Sequence, residues 1–200
     1  MKAVYHGSPQ GGLSVIAPVV STHGERWVYA CKDAVMAALF LSRTGGDLTC
    51  GVGREEEAGL PYLCERFAGA LGLRYAGKRG SIYTLPADTF VEGQTGWEEE
   101  VVSPVAVRPI AELVVDDVLR HLADLAQRGL LRIYRYPARS PIIPADDEDL
   151  VMRGIMWTRE KGEAVLDSFQ RYHPHLVGRI QQGLAAGRHR DGLSHHADDA

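Results

Sequence analysis

Cysteine is scarce in this chain. The 200 residues hold three, Cys31, Cys50 and Cys64, an odd number with no Cys-x-x-Cys pair. That argues against a disulfide framework or a zinc knuckle and makes a reducing, cytoplasmic setting the expectation. Long apolar runs are missing as well. The stretch from Ala34 to Leu41 falls well short of the roughly 20 residues a membrane-spanning helix needs, so no membrane partner is expected. Basic residues are not in excess: 22 Lys and Arg face 26 Asp and Glu, for a net charge of −4. No global positive field therefore argues for nucleic acid. At the N-terminus a charged-then-apolar leader pattern is absent, because Val4-Tyr5 runs at once into His6-Gly7 and a Pro-Gly turn. His189, His195 and His196 fall in a polar tail without fixed geometry, so no metal site is expected. What remains is 45% hydrophobic and 24% charged, the composition of an ordinary soluble globular chain with one real core.

Punctuation by glycine and proline divides the chain into legible pieces. Lys2 to Tyr5 reads as a strand, Gly7 to Gly12 as a flexible turn, and Leu13 to Val20 as irregular or extended. Arg26 to Ala30 is a strand by its aromatic and β-branched content. Asp33 can then cap a helix from Ala34 to about Ser42, with Gly45-Gly46 beyond its end. Leu60 to Leu71 fits a short helix or a strand plus turn. Leu73-Arg74-Tyr75 and Ser81 to Leu85 read as a strand pair about Gly77 to Gly80. Trp97 to Ser103 ends as a strand. Val115 to Gly129 has the clearest helical spacing, with Val118, Leu119, Leu122 and Leu125 on one stripe and Asp116 and Asp117 in its first turn. Ile133 to Tyr136 fits one more strand or a simple cover for the core. The expected organisation is a domain over 1–136, a proline- and acid-rich linker over 137–149, a helical extension over 150–186 and a disordered tail over 187–200. Strands early, with helices between and after them, predict an α+β fold around a split antiparallel sheet.

Three of these pieces carry side chains with chemistry. A histidine followed by glycine at a strand end, His6-Gly7-Ser8, offers an imidazole and a backbone with no Cβ in the way. Tyr29 offers a flat face, and the triplet Glu98-Glu99-Glu100 offers carboxylates. Their bland alternatives are a surface turn, a core aromatic and a solvated strand edge. In this order and context, Tyr5-His6-Gly7-Ser8, then Val28-Tyr29-Ala30 leading into Asp33 to Phe40, then Glu100-Val101-Val102-Ser103, resembles the ADP-ribosyltransferase fold. The resemblance is to its diphtheria-toxin and poly(ADP-ribose) polymerase-like branch with a His-Tyr-Glu triad, and it covers about residues 1–110.

The resemblance implies NAD as co-substrate. It places His6 on the adenine-side ribose, the Gly7 backbone on the nicotinamide amide with Ser8 assisting, Tyr29 and Phe40 as stacking aromatics, and Glu100 as the catalytic carboxylate. Breaking the nicotinamide–ribose bond develops positive charge on the ribose, which a nearby carboxylate stabilises. Two registers stay open. Val28 could stand where Tyr29 is placed, although valine can neither stack nor hydrogen-bond. Glu98 could replace Glu100, since the two would share a strand face. The implied activity is transfer of a single ADP-ribose to an acceptor, macromolecular or small, that the sequence does not name. The alternatives are an inactive module of the same fold that binds NAD, ADP-ribose or a partner protein, and the NAD-consuming removal of an RNA 2′-phosphate. The last would want clustered arginines, whereas Arg26, Arg43, Arg54, Arg66, Arg74 and Arg79 are scattered.

Overall fold

A computed structural model describes residues 3–20, 24–56 and 59–194. Two compact units emerge, Met1–Ala138 and Arg139–Ala200. The first is α+β. Strands β1 (Ala3–Ser8), β2 (Val19–Val20) and β3 (Arg26–Cys31) precede helix α1 (Ala34–Ala38); strands β4 (Cys50–Arg54) and β5 (Pro61–Glu65) precede helix α2 (Ala70–Tyr75). Then come β6 (Gly80–Pro86), β7 (Val91–Glu92), β8 (Glu100–Ser103), β9 (Ala111–Val115), helix α3 (Val118–Gln127) and β10 (Arg132–Tyr134).

The main sheet runs β7-β8-β3-β1-β6-β9, with β2 added beside β3, and these strands pair antiparallel. A second sheet, β10-β5-β4, pairs β10 parallel to β5. One face of the main sheet, carrying Tyr5, Cys31 and Ile82, packs with α1, α2, α3 and Leu63 of the second sheet. The other face buries Val4, Val28, Ala30, Tyr83, Leu85 and Val101 under Ile16 and Val107. That division follows from strand alternation.

The main sheet is continuous, but its ladders differ in length. β1 pairs with β6 from Ala3 to Ser8, whereas its register with β3, among the described residues, is the single pair Tyr5↔Cys31. β3 and β8 pair from Val28↔Ser103 to Cys31↔Glu100.

Local chemistry explains several elements. Asp33 caps α1 by accepting from the Met36 amide at 2.8 Å, as its position predicts. The helix is shorter than expected and ends at Ala38, so Phe40 lies in the turn beyond it. The amide of Arg120 donates to the Asp117 carboxylate at 3.0 Å, which starts α3 at Val118 and leaves Val115 in β9. The strand expected at Leu73-Arg74-Tyr75 is instead the end of α2. Contacts outside the helix override the local preference: the Leu71 amide donates to the nearby Glu65 carboxylate, and buried Arg74 donates to the distant carbonyls of Gly46, Cys50 and Leu39. Of the two readings of Leu60 to Leu71, the strand is the one formed.

The second unit holds helices α4 (Glu148–Lys161), α5 (Val165–Tyr172) and α6 (Pro174–Ser194). Leu150, Phe169, Leu176 and Ile180 are buried within it. Gly154 permits close packing, since a Cβ there would press on Ile180 and Phe169. α4 begins inside the expected linker, and α6 continues to Ser194, past the start of the expected tail. His195, His196 and the rest of that tail lie outside the described residues, as do Ser21, Thr22 and His23. No helix among the described residues is long and apolar enough to cross a membrane.

Candidate functional site

Strand register sets the geometry. Tyr5↔Cys31 and Cys31↔Glu100 lie in register across three neighbouring strands, so these residues share a face, with Tyr29 and Gly7 two positions along. Tyr29 and Glu100 therefore project from the helix-covered face of adjacent strands, both half-buried. Trp27, on the same face, packs edge-on against Tyr29 with ring centroids 6.1 Å apart. Val28 projects to the opposite face and is fully buried in that core.

His6 belongs to the other face, opposite Tyr83, and its ring centroid lies 6.4 Å from the Tyr83 ring. Its side chain does not join Tyr29 and Glu100 on their face. Instead its Nδ1 lies 2.6 Å from the Tyr29 carbonyl and donates to it, bridging the two strands. Burial holds the imidazole below the usual histidine range, against the opposing pull of that carbonyl, and Arg43 adds to the lowering. The neutral ring then presents Nε2 as an acceptor. Ser8 is buried on the His6 side, where its Oγ accepts from the Gln10 amide at 3.1 Å.

Gly7 is required by packing. A Cβ there would collide with the Ala37 carbonyl and stand 3.4 Å from the Phe40 Cβ. The same close approach brings Phe40 against Gly7. The turn carrying Phe40 is pinned from α2: the Leu39 carbonyl accepts from the Tyr75 hydroxyl at 2.8 Å and from Arg74 at 3.3 Å. Ser42 Oγ in turn donates to the Arg74 carbonyl at 2.6 Å. Phe40 packs edge-to-face on Trp97, with centroids 5.8 Å apart.

The three glutamates divide. Glu98 is exposed and precedes β8, so it does not share a strand face with Glu100 as the sequence suggested. Glu99 is buried and gripped by both ends of its carboxylate: Arg54 Nε and a terminal nitrogen each lie 2.6 Å away. Glu100 is half-buried; the Thr95 hydroxyl donates to it, yet burial dominates and raises its carboxyl above the usual range. The triplet is therefore not a uniformly solvated edge. Cys31, beside Glu100 in the ladder, is a buried thiol whose ionisation is suppressed by burial and by the neighbouring carboxylates. Among the described residues no cluster of three or more His, Cys, Asp or Glu could hold a metal ion.

No family model matches this chain, and no curated protein or solved structure matches it. The site thus stands on its own geometry: Tyr29, Phe40, Trp97 and Glu100 on the helix side, and His6 on the other face. Trp97, Arg54 and Glu99 were not singled out from sequence. Trp97 had a usable signal, an aromatic at the end of the Gly93 to Gly96 loop and three residues before Glu100. Arg54 and Glu99 had none, because their pairing joins residues 45 positions apart.

Proposed function

We propose that this chain is an NAD-dependent mono-ADP-ribosyltransferase built on an ADP-ribosyltransferase-like sheet. The observation that carries the reading is the placing of Tyr29 and Glu100 on one face of adjacent strands, beside the short ladder between the His6 strand and the Tyr29 strand. Residues 6–8 have ladder partners on β6 but, among the described residues, none on β3. The backbone of Gly7 on that side is available to the amide of nicotinamide.

NAD supplies an activated bond between the ribose and a positively charged nicotinamide. When that bond breaks, its electron pair leaves with nicotinamide and positive charge develops at the ribose carbon. Glu100 offers negative charge there and orients the incoming acceptor, whose proton is lost as the new bond forms. The half-buried rings of Tyr29 and Phe40 offer flat contacts to nicotinamide, each worth on the order of 0.5–1.5 kcal/mol beyond area burial. Neutral His6 can accept from a ribose hydroxyl through Nε2, while its Nδ1 bond keeps β3 in place.

The direct test is incubation of the purified protein with NAD, with free nicotinamide measured over time. Release that depends on Glu100 supports the transferase reading. NAD binding without release would instead favour a binding module of the same architecture.

A further inference from the structure

The Glu98 to Glu100 turn is anchored from the second sheet. Arg54, at the end of β4, forks onto Glu99 with two contacts of 2.6 Å. It also donates to Asp33, the residue capping the helix that leads to Phe40, and to the Gly59 carbonyl at 2.6 Å. The Glu99 carbonyl is fixed as well, accepting from the Lys32 amide at 3.2 Å. Glu99 is the turn residue immediately before β8, so holding it by backbone and side chain fixes where the strand, and with it Glu100, begins.

We propose that Arg54 is a positioning residue for the transfer reaction. Its guanidinium, shared between Glu99 and Asp33, holds the Glu100 carboxylate on the face that bears Tyr29 and in register with the turn that carries Phe40. This inference rests on the transferase reading for its kinetic consequence, but the orientation of Glu100 can be measured without turnover. A planar fork suits the task, since a bidentate guanidinium–carboxylate pair fixes direction as well as distance. Lysine would keep the charge and lose the fork.

The experiment compares wild type, Arg54→Gln, Arg54→Lys and Asp33→Asn. Asparagine caps a helix about as well as aspartate, so Asp33→Asn removes an ion-pair partner and keeps α1. Two readouts are taken at a temperature where each protein is folded: steady-state nicotinamide release, and titration of the Glu100 carboxyl by carbon-13 NMR. Arg54→Gln is expected to lower kcat by about 10- to 100-fold, with KM for NAD within about twofold, the size of effect that misaiming by about 1 Å produces. Arg54→Lys should fall between.

Released from its half-buried position, Glu100 should titrate lower than in wild type. Losing a nearby cation by itself would move it the other way, so the direction separates aiming from charge. A kcat within about twofold of wild type, together with a Glu100 midpoint unmoved or raised, overturns the proposal and leaves an ordinary structural ion pair. Should Arg54→Gln fail to fold, Arg54→Lys and Asp33→Asn carry the same two readouts. If the wild type releases no nicotinamide, the transferase reading fails, while the NMR titration still decides whether Arg54 aims Glu100.

Discussion

Strand β3 has two neighbours and treats them differently. With β8 it is paired through four residues, Val28 to Cys31; with β1 it shares the single pair Tyr5↔Cys31. The longer ladder fixes which way side chains face, and so sets Tyr29 and Glu100 together. On the other side the ladder is short, and His6 reaches across it with a side-chain bond to the Tyr29 carbonyl. A ladder that satisfies its own backbone offers side chains alone, whereas a shorter one also offers peptide donors and acceptors. A site for a long, mixed ligand such as a dinucleotide gains from having both.

The largest test of that contrast falls on the β8 side. Glu100→Gln is expected to lower kcat for nicotinamide release by about 10²- to 10³-fold, with NAD affinity within about twofold. Full turnover in that variant would remove Glu100 from the chemistry.

On the β1 side, Gly7→Ala drives a Cβ into the Ala37 carbonyl, which is backbone and cannot swing aside. The expected loss is about 1–3 kcal/mol of stability, read as a lower denaturation midpoint at unchanged slope. A variant as stable as wild type would mean that α1 does not press on β1.

Smaller again is Tyr29→Ala, which should weaken NAD binding by about 0.5–1.5 kcal/mol beyond lost burial, with Tyr29→Phe largely restoring it. Equal affinity in all three proteins would take Tyr29 out of the binding face.

The subtlest effects are in pH. Burial raises the Glu100 carboxyl, so it stays protonated to higher pH than an ordinary glutamate, and the acid limb of kcat should begin above the usual value of 4.5. His6 is shifted down, so on acidification the unfolded chain takes up a proton before the folded one. Its contribution therefore costs stability as pH falls through the ordinary histidine value of 6.5. Denaturation midpoints at pH 7 and at acid pH, compared between wild type and His6→Asn, should differ less in the variant.

Legibility was uneven, for physical reasons. The strand at Arg26, the Asp33 cap and the apolar stripe of α3 could be read because each rests on neighbours in sequence. Only the start of α4 was hidden, by prolines and acids that resemble a linker, although Glu148 and Asp149 occupy its first turn, where negative charge favours a helix. α2 was taken for a strand because the contacts that make it a helix, through Glu65 and Arg74, are tertiary. At the site, the placing of His6, Tyr29 and Glu100 on three strands was legible, and so was the alternation that sends Tyr29 and Val28 to opposite faces. The separate fates of Glu98, Glu99 and Glu100 were not.

By itself the sequence settled the class of fold, the strands that carry the candidate groups and the cap that starts α1, since alternation, capping and helical spacing are local. Tertiary structure alone decided that His6 reaches the Tyr29 carbonyl, that Phe40 meets Trp97, and that Arg54 holds Glu99. Each of those depends on strand register or on partners dozens of residues away, and no local pattern encodes such a meeting.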